Sequence, residues 1–103
     1  MQAKFDKTNF AKKILMYLDG KIKANELYHW NCGFLDEKIE DGLLNKAWAT
    51  IHQINEINPD FQTTDEELLY LYKCLIGEKS YSDAELSEAR MRGLNRRFGE
   101  LEG

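Results

Sequence analysis

The longest uninterrupted helical pattern in this chain covers residues 41–58, and it restricts what the rest of the chain can fold into. Apolar side chains recur there at steps of three and four, which places them on one face of a helix. They are Leu44, Ala47, Trp48, Ile51 and Ile54. Asp41 can cap the start, and the residue before Pro59 is disfavoured in helical backbone. The pattern predicts the central helix of a small bundle.

Four further segments carry apolar stripes at helical spacing. They predict helices from near residues 6–9 to 18 and over about 24–32, 64–76 and 82–99. The segments that begin at Thr64 and at Ser82 both match a capping box, and Gly20 and Gly77 can end the helices before them. No segment has the alternation typical of strands. We therefore predict one all-α domain over residues 1–103, a small antiparallel helical bundle of four core helices plus one extra C-terminal helix.

The composition is that of an ordinary globular chain and excludes several classes of protein. A length of 103 residues suits one domain, and 43% hydrophobic residues suffice for a core. No apolar run approaches the roughly 18 residues that a membrane span requires, and the N-terminus lacks the apolar region of a secretory signal. Two cysteines do not make a disulfide framework. A cytoplasmic protein is therefore expected.

Charge is distributed unevenly along the chain. Residues 1–23 hold six Lys and two Asp, a balance of +4, whereas residues 24–67 hold two Lys and ten acidic residues, a balance of −8. Residues 68–103 hold six basic and six acidic residues, which leaves a net charge of −4 for the chain. An acidic middle disfavours nucleic acid and attracts a basic partner, although it also serves solubility alone.

Two histidines and two cysteines are the residues from which a catalytic or metal site would be built. His29 and Cys32 have a spacing that can chelate a metal from one helix face, with Cys74 or His52 as a further ligand. A second tight pair of ligands is missing, and the glycine-rich phosphate and nucleophile motifs are absent. We therefore expect no enzyme activity, no cofactor and no metal, and we interpret these side chains as structural.

The C-terminal helix contains the one basic cluster after residue 23. Its members are Arg90, Arg92, Arg96 and Arg97. Such a row can bind phosphates, so a small helical nucleic-acid-binding regulator is the alternative function. Glu88 and Glu100 interleave with the arginines, however, and the spacing favours ion pairs along an exposed helix face. We favour that structural interpretation and expect no direct contact with nucleic acid.

The acidic residues on either side of the 41–58 segment are the best candidates for a binding site. Carboxylates on connectors are costly to bury, so they are expected to be exposed. Together they can mimic the phosphates of a nucleic acid and cover a basic cleft on another protein. The predicted partner-binding residues, of which only a few can face one partner, are Asp36, Glu37, Glu40, Asp41, Asp60, Asp65, Glu66 and Glu67.

Three short stretches also carry a resemblance to a known family. Residues 17–27 read YLDGKIKANEL, and residues 54–60 read INEINPD ahead of TDEELL at 64–69. They resemble the opening, the central helix with its acidic connector and the next helix start of colicin D-type immunity proteins. The resemblance covers about residues 10–77. Lys23 stands where the family usually has Ser, and the helix after Gly77 extends beyond the four-helix core.

This resemblance implies a four-helix protein that binds a cognate toxin, often a tRNA-cleaving nuclease. Proteins of the family cover the basic active site of the toxin with an acidic surface. Immunity proteins of contact-dependent growth inhibition systems act on related toxin domains in the same way. Resemblance and charge thus lead to one expectation, a non-catalytic cytoplasmic immunity protein whose partner is a cognate toxin nuclease domain and not a membrane.

Overall fold

The structure is a computed structural model that describes residues 6–34, 41–58 and 61–102, with the backbone alone for residues 100–102. Its elements are α1 (Lys7–Leu18), α2 (Ala24–Cys32), α3 (Gly42–His52), a 3-10 helix (Gln53–Asn55), α4 (Asp65–Leu75) and α5 (Asp83–Glu102). No strand occurs in these ranges, and the helices pack against one another. The predicted all-α bundle is confirmed.

The predicted helix starts agree with the structure because the capping residues act as expected. The Asp6 carboxylate accepts a hydrogen bond from the Asn9 N–H at 2.8 Å, and the Thr64 hydroxyl accepts one from the Glu67 N–H at 3.2 Å. Gly20 follows α1 with φ of 76°, the left-handed conformation that glycine adopts without strain.

The predicted end of the central helix is wrong. We expected it to reach residue 58, but α3 ends at His52 and the 3-10 helix follows it to Asn55. The carbonyl of Gln53 accepts from the Glu56 N–H at 3.1 Å and from the Thr63 N–H at 3.4 Å. These bonds tighten the last turn and direct the chain toward α4, so the helix ends before Pro59 can act on it.

The core lies among α1, α2, α3 and α4. Its largest fully buried apolar side chains are Phe10, Ile14, Leu27, Ile51, Leu68 and Leu71. Trp48 packs against this core and donates its indole N–H to the Asn31 carbonyl at 3.1 Å. The Asn31 amide in turn donates to the Trp48 carbonyl at 3.0 Å. This reciprocal pair of hydrogen bonds fixes α2 against α3.

The helix directions place the starts of α3 and α4 at opposite ends of the bundle. Lys7, at the start of α1, forms an ion pair with Asp41 at the start of α3. Tyr17, near the end of α1, lies beside Asp65 at the start of α4. Because Lys7 and Tyr17 are ten residues apart on one helix, about 15 Å separates the two ends along its axis.

Among the described helices, α4 is the one against which the fifth helix packs most extensively. Ala89 is fully buried and packs with Tyr70 and Cys74 of α4. The Tyr70 hydroxyl accepts from the Ser82 N–H at 2.8 Å and donates to the Ser80 carbonyl at 3.2 Å, which fixes the start of α5. None of the described helices combines the length and apolar character needed to cross a membrane.

Candidate protein-binding surface

Asp41 is both an exposed carboxylate and the cap of α3. Its Oδ1 accepts from the Leu43 N–H at 2.9 Å and the Leu44 N–H at 3.1 Å, and its Oδ2 lies 3.4 Å from the Lys7 ammonium. The Leu44 hydrogen bond is the largest of the effects that lower the pKa of Asp41. The side chain is still 40% exposed, so capping and partner contact are compatible.

Asp65 is the exposed carboxylate in the first turn of α4. It faces the hydroxyl of Tyr17, whose pKa is raised to about 12, first by burial and then by the charge of Asp65. Asp65 therefore lies at the surface, at the start of α4 and next to the end of α1.

Glu66 is paired with the fifth helix. The Arg96 guanidinium donates from Nε to Oε1 at 2.6 Å and from Nη2 to Oε2 at 3.2 Å. This forked contact is the main reason why the pKa of Glu66 is lowered. A partner that binds Glu66 must share the carboxylate with Arg96.

Glu67 is buried, and the prediction that it would be exposed is wrong. Its Oε1 accepts from the Thr64 N–H, the Thr64 hydroxyl and the Arg90 guanidinium, each at 3.0 Å. Its side chain is 5% exposed. The capping box turns this carboxylate inward, and Arg90 supplies the opposite charge that makes burial tolerable.

Arg90, Arg96 and Arg97 contact other parts of the protein. Arg90 and Arg96 form ion pairs with Glu67 and Glu66 of α4, whereas the sequence led us to expect pairs along α5 with Glu88 and Glu100. The side chain of Glu100 lies outside the described residues, so that expectation stays a prediction. Arg97 donates to the carbonyls of Gln62 and Thr63 at 3.4 and 3.1 Å. Sequence reasoning missed this because it compared charges only within α5, whereas positions 90, 93 and 97 share one helix face.

The four remaining candidates, Asp36, Glu37, Glu40 and Asp60, lie outside the described residues. The four candidates that the structure describes lie at two separate positions. Asp65, Glu66 and Glu67 lie together at the start of α4, and Asp41 lies at the opposite end of α1. The predicted acidic residues that the structure describes therefore do not form one continuous surface.

The connector between the 3-10 helix and α4, residues 56–64, exposes two large apolar side chains. Ile57 is 94% exposed and Phe61 is 61% exposed. Phe61 also lines a cavity of about 330 Å³ between α3 and α5, whose other walls include Lys46, Leu86 and Arg90. Nothing in the sequence distinguished these two side chains from ordinary connector residues, so this apolar feature was missed.

The histidines and cysteines are dispersed. His52 stacks on the Trp48 ring with centroids 5.0 Å apart, and Cys74 is buried between α4 and α5. Within the part of the chain that the structure describes, no three His, Cys, Asp or Glu side chains lie close enough to hold a metal ion. The described geometry thus assigns no metal-binding role to His29, Cys32, His52 or Cys74.

Comparison of the chain with protein-family models, curated proteins and solved structures finds no match. The fold itself defines a small all-α bundle with acidic helix starts. A proposal for the function of this chain therefore has to rest on its charge and its exposed side chains.

The lowered pKa values of Asp41 and Glu66 predict acid sensitivity. A carboxylate whose pKa is lower in the folded protein stabilises it fully above the unfolded-state pKa of about 4, and this stabilisation is lost as pH falls through the folded-state pKa. Urea unfolding from pH 7 to pH 3 should show a decline below about pH 5. Glu66→Gln should make the decline shallower, whereas Glu88→Gln should leave it unchanged; equal slopes for both variants would contradict the prediction.

Proposed function

We propose that this protein is an immunity protein that binds and neutralises a cognate nuclease toxin domain, most simply a tRNA-cleaving one. The observation that carries the proposal is the balance of −8 over residues 24–67. Of the six carboxylates of that segment that the structure describes, ion pairs to Lys7, Arg90 and Arg96 engage three. The segment stays strongly acidic, which suits a partner with a basic active site.

The start of α4 is the better-defined of two candidate docking ends. Asp65 is exposed there on a helix that is packed on two sides by α1 and α5. A rigid support matters because a carboxylate held in place loses little side-chain entropy on binding. The second candidate end contains Asp41, which is fixed by its capping bonds, together with Asp36, Glu37 and Glu40 just before it in the sequence.

The alternative, a nucleic-acid-binding regulator, has less support. Arg90, Arg96 and Arg97 form hydrogen bonds with Glu67, Glu66 and connector carbonyls. Phosphate binding by these side chains would have to replace those contacts and leave the buried Glu67 without its ion pair. The net charge of −4 also opposes an approach to nucleic acid.

Charge reversal at the two ends tests the proposal and shows which end is used. The toxin domain encoded beside this protein should be co-expressed with wild type, with Asp60→Lys/Asp65→Lys, or with Asp36→Lys/Glu37→Lys. We expect wild type to protect the cells and at least one double variant to lose protection. That variant should associate with the purified toxin domain about tenfold more slowly or worse at low salt.

The matched control is Glu78→Lys/Glu88→Lys, which changes the net charge equally at exposed positions outside residues 24–67. It should protect like wild type. If the control and both test variants protect equally, the acidic surface is not the binding site. If wild type does not protect against any toxin encoded beside it, the proposed function is wrong.

A further inference from the structure

We infer that Ile57 and Phe61 form the apolar centre of the toxin-binding interface, an inference that rests on the proposed function. Large apolar side chains on a connector normally fold back onto the protein, because burial of apolar surface is favourable. Here Ile57 is 94% exposed and Phe61 is 61% exposed, although the connector passes directly beside the core. The two are only four positions apart in the sequence and belong to the same connector.

Hydrogen bonds hold the described parts of this connector in place. The Glu56 N–H donates to Gln53 O at 3.1 Å, and the Phe61 N–H donates to Asn58 O at 3.0 Å. At the far end, the Thr63 hydroxyl donates to the Thr50 carbonyl of α3.

The fifth helix also forms hydrogen bonds with the connector. Arg97 donates to the carbonyls of Gln62 and Thr63, next to Phe61. Contacts from α3, the 3-10 helix and α5 therefore converge on the described parts of the connector, residues 56–58 and 61–64. A binding segment that is ordered before it meets its partner loses less entropy on association, and this ordering is what a rigid aromatic anchor requires.

The surroundings indicate the chemistry of the partner. The exposed carboxylates of Glu56 and Asp65 border the apolar pair on either side in the sequence. An apolar centre with an acidic rim fits a protein surface that has an apolar recess encircled by Lys or Arg. The cavity of about 330 Å³ beside Phe61 gives one partner side chain space to enter. The partner is thus a basic protein surface of the kind that surrounds a nuclease active site.

The carboxylates and the apolar side chains of this interface should affect different rate constants of binding. Carboxylates act over distance and set the association rate, whereas buried apolar anchors act after contact and set the dissociation rate. The probe is the purified toxin domain encoded beside this protein, immobilised for surface plasmon resonance. Ile57→Ala and Phe61→Ala should each raise the dissociation rate about tenfold and change the association rate less than about twofold.

Met91→Ala and Ile76→Ala are the matched controls, because both side chains are large, apolar and exposed, and Ile76 lies at the end of α4 that is farther from the connector. Both control variants should dissociate from the toxin domain at the wild-type rate, and the melting temperatures of all four variants should be close to that of wild type. Wild-type dissociation rates for Ile57→Ala and Phe61→Ala, with wild type still bound, would overturn this inference alone. Failure of wild type to bind the toxin domain would overturn the proposed function and this interface together.

Discussion

Replacement of Gly93 by leucine is expected to displace α5 and to lower the free energy of unfolding by about 3 kcal/mol or more. A Cβ at this position would collide with the Thr64 side chain and with Oε2 of Glu66. The collision cannot be relieved cheaply, because Thr64 is fully buried and caps α4. Since α4 is the described helix against which α5 packs most extensively, the backbone of α5 has to move away.

Two further glycine variants test this prediction, because they are expected to change the free energy of unfolding in opposite directions. Gly99→Ala lies on the same helix with open space around the new Cβ, so it should stabilise by about 0.5–1 kcal/mol through helix propensity. Gly93→Ala should instead destabilise by about 1–2 kcal/mol. Urea unfolding measures both changes. Equal stabilisation by both alanines would show that α5 does not approach α4 closely at Gly93.

Displacement of α5 can also be measured directly through Cys74. This thiol is 5% exposed and lies under Ala89 of α5. In a Cys32→Ser background, Gly93→Leu should therefore make Cys74 react much faster with a thiol reagent than the Gly99→Ala variant does. Unchanged labelling in Gly93→Leu would indicate that α5 stays in place and that the strain is taken up elsewhere.

Removal of the buried carboxylate by Glu67→Ala is expected to destabilise the protein by about 2–4 kcal/mol. The change removes the acceptor for three donors at once, the Thr64 N–H, the Thr64 hydroxyl and Arg90. The Thr64 N–H then remains buried without a partner. Arg90 is 25% exposed and can be partly hydrated, which keeps the loss below that of a fully buried ion pair.

Glu67→Gln separates the hydrogen bonds of Glu67 from its charge. The amide oxygen can still accept from Thr64 and Arg90, so the expected loss is about 1–2 kcal/mol, smaller than that of the alanine variant. Thermal and urea unfolding of the two variants show which of them loses more stability. A loss below about 0.5 kcal/mol for Glu67→Ala would show that the capping box and its ion pair do not hold α4 in place.

Local sequence rules predicted the helices well because the caps are local. Asp41, Thr64 and Gly20 each act within a few residues, and the structure assigns them the roles that their side chains and spacing indicated. The end of α3 was missed for the opposite reason. The carbonyl of Gln53, the residue after α3, accepts from the Thr63 N–H ten residues further on, and no local pattern contains that contact.

The candidate site was harder to predict because its contacts join distant parts of the chain. The triad at the start of α4 was read as three exposed carboxylates, yet Glu66 and Glu67 bond to arginines 30 and 23 residues away. Asp65 alone of the three is exposed. The exposure of Ile57 and Phe61 is likewise a property of a folded connector, since the same residue types in a core stripe would be buried.

The most direct test is whether this protein inhibits a nuclease. The measurement is RNA cleavage by a purified candidate toxin domain encoded next to it, with increasing amounts of this protein at about 0.15 M salt. We predict that cleavage falls in proportion to the added protein and stops at an equimolar amount, and that a large excess of Asp60→Lys/Asp65→Lys or of Asp36→Lys/Glu37→Lys is needed for the same inhibition. Full cleavage in the presence of a large excess of wild-type protein would contradict the proposed function.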